Sequence, residues 1–164
     1  MAQRDDDALE LLDADHRLVH QLFRQYRELA ANDAPDARRK ALAEQICMEL
    51  TIHAKLEEEL FYPAVRDAIR DDDLMDEAEV EHAAARDLVV QILSMDPHEE
   101  LYDAKVTVLG EYIAHHVREE REEMFDKARR SGVDLARLGR RLRERKAELQ
   151  AVPEALREEL LVMA

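Results

Sequence analysis

Apolar residues recur every three or four positions along most of this chain, which is the spacing of an amphipathic α-helix. The spacing is sustained over about residues 5–31, 35–69, 72–94 and 97–130. In the first of these segments the repeated positions are Leu9, Leu12, His16, Val19, Phe23 and Tyr26. Turn signals separate the segments, since NDAPDA follows the first and RDDDL follows the second. The pattern therefore predicts four long helices.

Two prolines refine this prediction. Pro63 lies inside the second segment and is expected to kink that helix, because proline cannot donate a backbone hydrogen bond. Asp96 is followed by Pro97, a pairing typical of an N-cap and the first helical position. The fourth helix should therefore begin there and end near Gly132.

Four long helices joined by short links predict an all-α fold, an antiparallel up-down-up-down four-helix bundle. We expect residues 1–131 to form this bundle and residues 132–164 to form a C-terminal helical extension, packed on the bundle or trailing from it. Residues 134–150 repeat leucines along one stripe and carry arginines elsewhere, which suits docking on an acidic bundle or on a partner. The residues from 152 onward are expected to form either a short helix or a frayed end.

Composition supports one helical domain and narrows the choice of partners. The chain has 164 residues with only three glycines and four prolines, and 46% of its residues are hydrophobic. Its net charge of -15 repels phosphate backbones and anionic lipid head groups. We therefore expect neither nucleic acid nor a membrane surface as a partner.

The single cysteine and the lack of targeting signals indicate where in the cell the protein is expected. Cys47 has no second cysteine with which to form an intramolecular disulfide, and its position favours packing. No apolar run is long enough to span a bilayer, and the first residues lack the pattern of a signal peptide. These features predict a cytoplasmic protein.

Each of the four predicted helices places one histidine near the middle of its apolar stripe. These histidines lie seven residues, or about two helical turns, from apolar residues of the same stripe. One such histidine is most simply a core residue with a hydrogen-bond partner. Four of them in one narrow bundle indicate a shared site, and they are His16, His53, His82 and His116.

Two glutamates point to the same interior. Glu57 and Glu120 each lie four residues after one of these histidines and so share its helix face. Burying an unpaired carboxylate costs more than a domain's whole stability of about 5–15 kcal/mol. The charge must therefore be neutralised by a buried cation such as Arg86, by protonation or by a metal.

A metal centre satisfies all six side chains at once. Four ligands saturate one zinc ion, whereas four histidines and two glutamates suit two cations about 3.5–4 Å apart with bridging carboxylates. The interpretation we favour is two non-haem iron ions with an oxo or hydroxo bridge, ahead of manganese and zinc.

The remaining histidines are weaker candidates. His20 lies one turn after His16 and is an alternative fifth imidazole ligand. His115 and Glu119 repeat the four-residue spacing about 100° away from the apolar stripe, so His116 is preferred. His98 is expected at the surface.

The tyrosines are assigned mainly to packing. Tyr112 lies four residues before His116, so it is expected to pack in the core, with a hydrogen bond behind a ligand or coordination as alternatives. Tyr26 and Tyr62 are expected to pack.

Four stretches of the sequence resemble the hemerythrin-like domains, also called HHE cation-binding domains. They are DADHRLVHQLF, HAKLEEELFYPAVR, EVEHAAARDL and HHVREEREEMFDKAR, and the resemblance covers about residues 5–130. It implies an antiparallel four-helix bundle around a non-haem di-iron centre. The metal ligands that it implies are His16, His53, Glu57, His82, His116 and Glu120.

The sequence departs from the oxygen-carrying members, which have a second histidine on the third helix. Ala78 and Arg86 stand at the corresponding positions here. An open coordination position favours a protein that reacts with peroxide, oxygen or nitric oxide, with catalase-like turnover as one expectation. The alternatives are a sensor, carrier or iron reservoir without turnover and, least favoured, a metal-free interaction domain. The sequence leaves the oligomeric state open.

Overall fold

The computed structural model describes residues 6–163, which are almost entirely helical and include no strand. We number six helices, two of which are interrupted by a π-helical turn. The helices are α1 (Ala8–Ala31), α2 (36–69, comprising Asp36–Leu56, the π turn Glu57–Phe61 and Tyr62–Ile69), α3 (Asp72–Leu93), α4 (102–130, comprising Tyr102–Glu119, the π turn Glu120–Met124 and Phe125–Arg130), α5 (Leu135–Gln150) and α6 (Pro153–Val162). Helices α1 to α4 form the predicted bundle, in which each helix packs on the next and α4 returns to α1.

Several of these helices begin at a residue whose side chain caps the first turn. The Asp7 carboxylate accepts a hydrogen bond of 2.9 Å from the Glu10 backbone N–H, and Glu10 caps Asp7 in return. Asp71 caps α3 in a similar way, with 3.2 Å from its carboxylate to the Leu74 backbone nitrogen. The predicted start of the first helix, near Asp5, lies outside the described residues.

The prediction that the fourth helix begins at Asp96 and Pro97 is wrong, because α4 begins at Tyr102. The Asp96 backbone N–H donates to the Glu99 carboxylate at 2.6 Å, and Glu99 N–H returns a 3.0 Å bond to the Asp96 carbonyl. These local bonds close a turn where a helical start was expected. At the other end, Gly132 has φ of 81°, the left-handed conformation that terminates α4.

Helices α2 and α4 both change from α to π hydrogen bonding at one glutamate, Glu57 in α2 and Glu120 in α4. A π turn inserts one extra residue into the helix. Consequently Phe61 takes the fully buried position that regular α-helical spacing from His53 would give to Leu60, which is only partly buried. The irregularity predicted at Pro63 therefore takes the form of a π turn just before the proline.

The hydrophobic core consists of two clusters, one at each end of the bundle. The first cluster includes Leu12, Leu56, Phe61, Phe125 and Leu142. The second includes Val19, Phe23, Ile46, Cys47 and Leu109. Burial raises the pKa of the Cys47 thiol to about 12, in keeping with a packing role.

Helix α5 lies against α1 and α2. Leu142 is fully buried there, and a side chain at Gly139 would come within 2.8 Å of the Asp6 carbonyl oxygen, so glycine permits the close approach. Arg145 pairs with Glu59 through contacts of 2.7 and 3.2 Å. The C-terminal segment thus docks through leucines and basic side chains, and α6 follows it where a frayed end was the alternative.

None of the helices within residues 6–163 has both the length and the apolar character needed to cross a lipid bilayer.

Candidate metal centre

The structure brings all six predicted side chains together between the two apolar clusters. Glu57 is 0% exposed and Glu120 is 1% exposed, and the four histidines are buried beside them. Helices α1 and α3 contribute one histidine each, while α2 and α4 each contribute a histidine and the glutamate that opens a π turn. The result is a buried polar layer across the bundle.

A first group of donors consists of His16, His53, Glu57 and Glu120, whose nearest nitrogen and oxygen atoms all lie within 4.8 Å of one another. The Nε2 atoms of His16 and His53 are 3.1 Å apart. His16 Nε2 lies 3.2 Å from Glu120 Oε1, and His53 Nε2 lies 3.1 Å from Glu57 Oε1. Ligands at right angles around one cation, each about 2.1 Å from it, would be about 3.0 Å apart.

A second group consists of Glu57, His82 and His116. His82 Nε2 lies 3.3 Å from Glu57 Oε1 and 3.2 Å from His116 Nε2. His116 Nε2 is also 3.2 Å from Glu120 Oε2. Both carboxylates therefore extend between the two groups, which is the arrangement expected of bridging ligands.

The buried carboxylate oxygens indicate that a cation fits this layer. Both oxygens of Glu57 and Oε1 of Glu120 have no hydrogen-bond partner among the described residues, although imidazole nitrogens lie close by. Such orphaned buried oxygens are costly unless a positive charge binds them. Imidazole nitrogens and carboxylate oxygens together are suitable ligands for a transition-metal ion.

The outer nitrogen of His53 is held by a carboxylate. His53 Nδ1 lies 3.0 Å from Asp15 Oδ2, and Lys146 Nζ of α5 lies 2.5 Å from Asp15 Oδ1. A proton on Nδ1 would donate to Asp15 and leave the lone pair of Nε2 facing the centre. Lys146 therefore connects the C-terminal segment to a side chain of the centre.

The outer nitrogen of His82 is held in a similar way. His82 Nδ1 lies 3.2 Å from Glu58 Oε1, which accepts a second hydrogen bond of 2.6 Å from Arg86 Nη2. Arg86 thus neutralises Glu58 at the edge of the site, and within residues 6–163 neither Glu57 nor Glu120 has a lysine or arginine partner.

The two other imidazoles have looser outer contacts. The Nδ1 atoms of these rings lie 3.6 Å and 3.7 Å from the nearest carboxylate oxygen. The pairs are His116 with Glu81 and His16 with Asp13. Sequence analysis missed all four outer carboxylates. Three of them adjoin a predicted ligand in the chain and Asp13 lies one helical turn before His16, which is the signal that could have suggested them.

Tyr62 packs in the core as predicted, and its hydroxyl also contacts the centre, which the prediction did not include. Its hydroxyl donates a 2.7 Å hydrogen bond to Glu120 Oε2 and lies 3.1 Å from His82 Nε2 and 3.3 Å from His116 Nε2. The π turn before Tyr62 shifts its helical register, so regular α-helical spacing could not place its ring. Burial, with the charges of Glu120 and Glu57, raises the pKa of Tyr62 well above its usual range.

The glutamates change the proton affinity of the imidazoles. Burial alone would lower the pKa of His53, but Glu57 and Asp15 outweigh it and raise the pKa to about 10. For His116 burial is again outweighed, by Glu120 and Glu81, and its pKa rises to about 11. Burial would raise the pKa of Glu120, yet its neighbours, including His116, hold that pKa well below the usual range. The layer thus strongly favours positive charge beside its carboxylates.

Other predicted candidates lie elsewhere. His20 and His98 are exposed, and the His115 side chain is 63% exposed with Nε2 3.4 Å from Glu119 Oε1. Tyr112 is 51% exposed, so its expected packing in the core is wrong.

Comparison with known proteins agrees with this geometry. The family described as the hemerythrin HHE cation binding domain matches residues 7–128. The crystal structure of a hemerythrin HHE cation binding domain-containing protein from Mycobacterium kansasii superposes with a TM-score of 0.75 and 25% identity, covering 89% of this chain and 88% of that one.

A curated relative adds a more distant similarity. It is a protein of Nostoc sp. named DNA nickase, 29% identical over 123 residues, which are 75% of this chain and 34% of the relative. The matched part therefore spans about a third of that protein. With the family matched over most of its length and a His/Glu cluster suited to metal binding, the chain belongs to the hemerythrin HHE cation-binding domain family.

Proposed function

We propose that this protein holds two non-haem iron ions in the buried polar layer and reacts there with peroxide, oxygen or nitric oxide. The observation that carries the proposal is the burial of Glu57 and Glu120 at 0% and 1% exposure, facing four imidazole nitrogens. Among the described residues, their ion-pair partners are imidazoles and not lysine or arginine. The proposed ligands are His16, His53, Glu57, His82, His116 and Glu120.

The donor set supports two ions and favours iron. The residues form two groups that share Glu57. Together they offer more donors than the four ligands of a closed zinc site. Helix bundles build di-iron and di-manganese centres from histidines and carboxylates on facing helices. The absence of a cysteine from either group agrees with a nitrogen and oxygen site.

The chain's own residues support reactivity over simple storage of a gas. Iron would supply redox chemistry, and the group of His82 and His116 faces the Tyr62 hydroxyl, 3.1 Å and 3.3 Å from their Nε2 atoms. Tyr62 holds a proton 2.7 Å from Glu120 Oε2 at this group. The outer carboxylates Asp15 and Glu58 keep the Nε2 atoms of His53 and His82 turned inward.

We do not extend DNA cleavage to this chain. The relative's name describes a protein about three times as long as the matched part. The net charge of -15 opposes binding to a phosphate backbone.

The experiment combines metal analysis with peroxide turnover. The iron-loaded protein should contain about two iron ions per chain, absorb visible light and evolve oxygen from hydrogen peroxide. His53→Ala should lose iron and turnover, whereas His115→Ala, which alters an exposed histidine, should keep both. Wild-type iron content and turnover in His53→Ala would refute the ligand assignment. Reversible spectral changes under oxygen or nitric oxide without turnover would instead support a sensor or carrier.

A further inference from the structure

A cavity with a volume of about 940 Å³ opens directly beside the proposed metal centre. Its inner end is formed by the four imidazoles and Glu57. Its walls come from α1, α2, α3, α4 and α6. The cavity therefore connects the buried polar layer to the surface, and α6 lies outside the part of the chain matched by the family, residues 7–128.

The cavity is much larger than the small molecules considered so far. A water molecule in the liquid occupies about 30 Å³, so a diatomic gas or hydrogen peroxide would fill less than about a tenth of it. Pockets that enclose organic ligands range from about 300 to 1,000 Å³. The volume thus fits an organic molecule.

The walls near the imidazoles are largely apolar. Their side chains have no hydrogen-bonding atoms, so water in this region is poorly satisfied and is readily displaced by hydrocarbon. The side chains are Val19, Leu50, Ala54, Ala85, Val89, Ile113 and Leu160. Leu160, from α6, is itself buried against this end of the core.

Charge at the mouth of the cavity disfavours anions. Acidic side chains outnumber basic ones in the lining, and they include Asp73, Glu77 and Glu119. Lys55 already pairs with Glu159 at 3.0 Å, and Arg86 pairs with Glu58 at 2.6 Å. A ligand carrying a carboxylate or phosphate would meet net negative charge and two basic groups that are already paired.

We propose that this cavity binds an uncharged organic molecule with a hydrocarbon part, its polar end toward the imidazoles and Glu57. The inference rests on the proposed function in one respect, the substrate class that it names. If the centre reacts with peroxide, an organic molecule that carries a peroxide group would be its substrate in place of hydrogen peroxide. Binding itself changes no bond and requires no turnover.

The test uses isothermal titration calorimetry of the iron-loaded, full-length protein with 1-octanol and with octanoate, which share most of their hydrocarbon chain. We expect 1-octanol to bind at one site and octanoate to bind at least about tenfold more weakly. Ala85→Leu and Ala54→Leu place extra carbons in the cavity and should each weaken octanol binding by about tenfold or more. Ala68→Leu, on the exposed part of α2 away from the cavity, is the matched control.

Circular dichroism melting identifies any variant that fails to fold. If one of the two cavity variants does not fold, octanol binding by the other tests the inference. The inference is overturned if 1-octanol does not bind the wild type, or if folded Ala85→Leu and Ala54→Leu bind it as well as Ala68→Leu does. Octanoate binding as tight as octanol binding would overturn the assignment of an uncharged ligand. Because the readout is heat of binding, failure of peroxide turnover leaves this result unaffected.

Discussion

The two halves of the bundle, α1 with α2 and α3 with α4, supply matching histidines and glutamates that lie in different surroundings. Nine residues after the second-helix histidine stands Tyr62 in one half, and nine after its counterpart stands Phe125 in the other. The Tyr62 hydroxyl lies against His82 and His116, whereas the Phe125 ring stacks on His16 at 5.8 Å between centroids and 13° between planes. One group of donors thus faces a hydroxyl and the other an apolar ring.

This difference shows that the same spacing of donors in two halves of a chain can bring them to one site without making the two groups of donors equivalent. The His16 group has an apolar ring as its neighbour, while the His82 group has a hydroxyl. The outer contacts do not add to this difference, since each group has one short contact, 3.0 Å at His53 and 3.2 Å at His82. We therefore expect the two groups to respond differently to substitution.

The largest effect should follow removal of the carboxylate that the two groups share. Glu57→Ala deletes a donor from both groups, so both ions should be lost, with metal affinity falling by more than about 100-fold. Elemental analysis after dialysis measures this. Glu122→Ala removes an exposed glutamate of the same π turn as Glu120 and should keep its metal. Full metal content in Glu57→Ala would contradict a shared ligand.

Chelation of the metal should destabilise the whole domain. An ion that binds only the folded state at about 1,000 times its dissociation constant contributes about 4 kcal/mol, which corresponds to about 10 °C in melting temperature for a chain of this size. Differential scanning calorimetry with and without chelator gives the shift. An unchanged melting temperature would mean that the buried carboxylates are neutralised without metal.

Exchange of the two aromatic residues tests the asymmetry itself. Tyr62→Phe makes the halves alike and should keep the metal while altering the visible spectrum and slowing peroxide turnover by about tenfold. Phe125→Tyr adds a hydroxyl beside His16 without a partner and should cost about 1–3 kcal/mol of stability. Chemical denaturation and spectroscopy report on each variant. Identical spectra for wild type and Tyr62→Phe would show that the hydroxyl does not influence the metal.

The smallest effect should come from α5. Lys146→Met leaves Asp15 without its cation, so Asp15 should hold His53 less firmly and metal affinity should fall by about tenfold. Arg141→Met, at an exposed position of the same helix, is the control. Metal titration of both variants separates a specific effect from a general loss of charge. Equal affinities would show that α5 only packs.

Helical periodicity was sufficient to find the six inward side chains because α1 and α3 have no π turn, and the other four side chains precede a π turn or stand at its start. Beyond Glu57 the extra residue changes the register, so regular spacing could not place the Tyr62 hydroxyl at the centre. Tyr112 was misjudged for another reason, since its side of α4 faces the open cavity and not packed core. Spacing gives the direction of a side chain and cannot tell whether packed atoms or an open cavity lie there.

The two π turns also constrain how this sequence can change in length. The π turn accommodates one extra residue, so a residue removed after Glu120 within EREEM would convert the turn to ordinary α-helix and leave the residues after it facing the same way. Phe125 and Ala128 would then stay buried. A residue removed from the regular α-helical part of α4 would instead rotate everything on one side of the deletion by about 100° relative to the other side. Single-residue deletions should therefore be far less damaging within the two π turns than in the regular parts of α2 and α4.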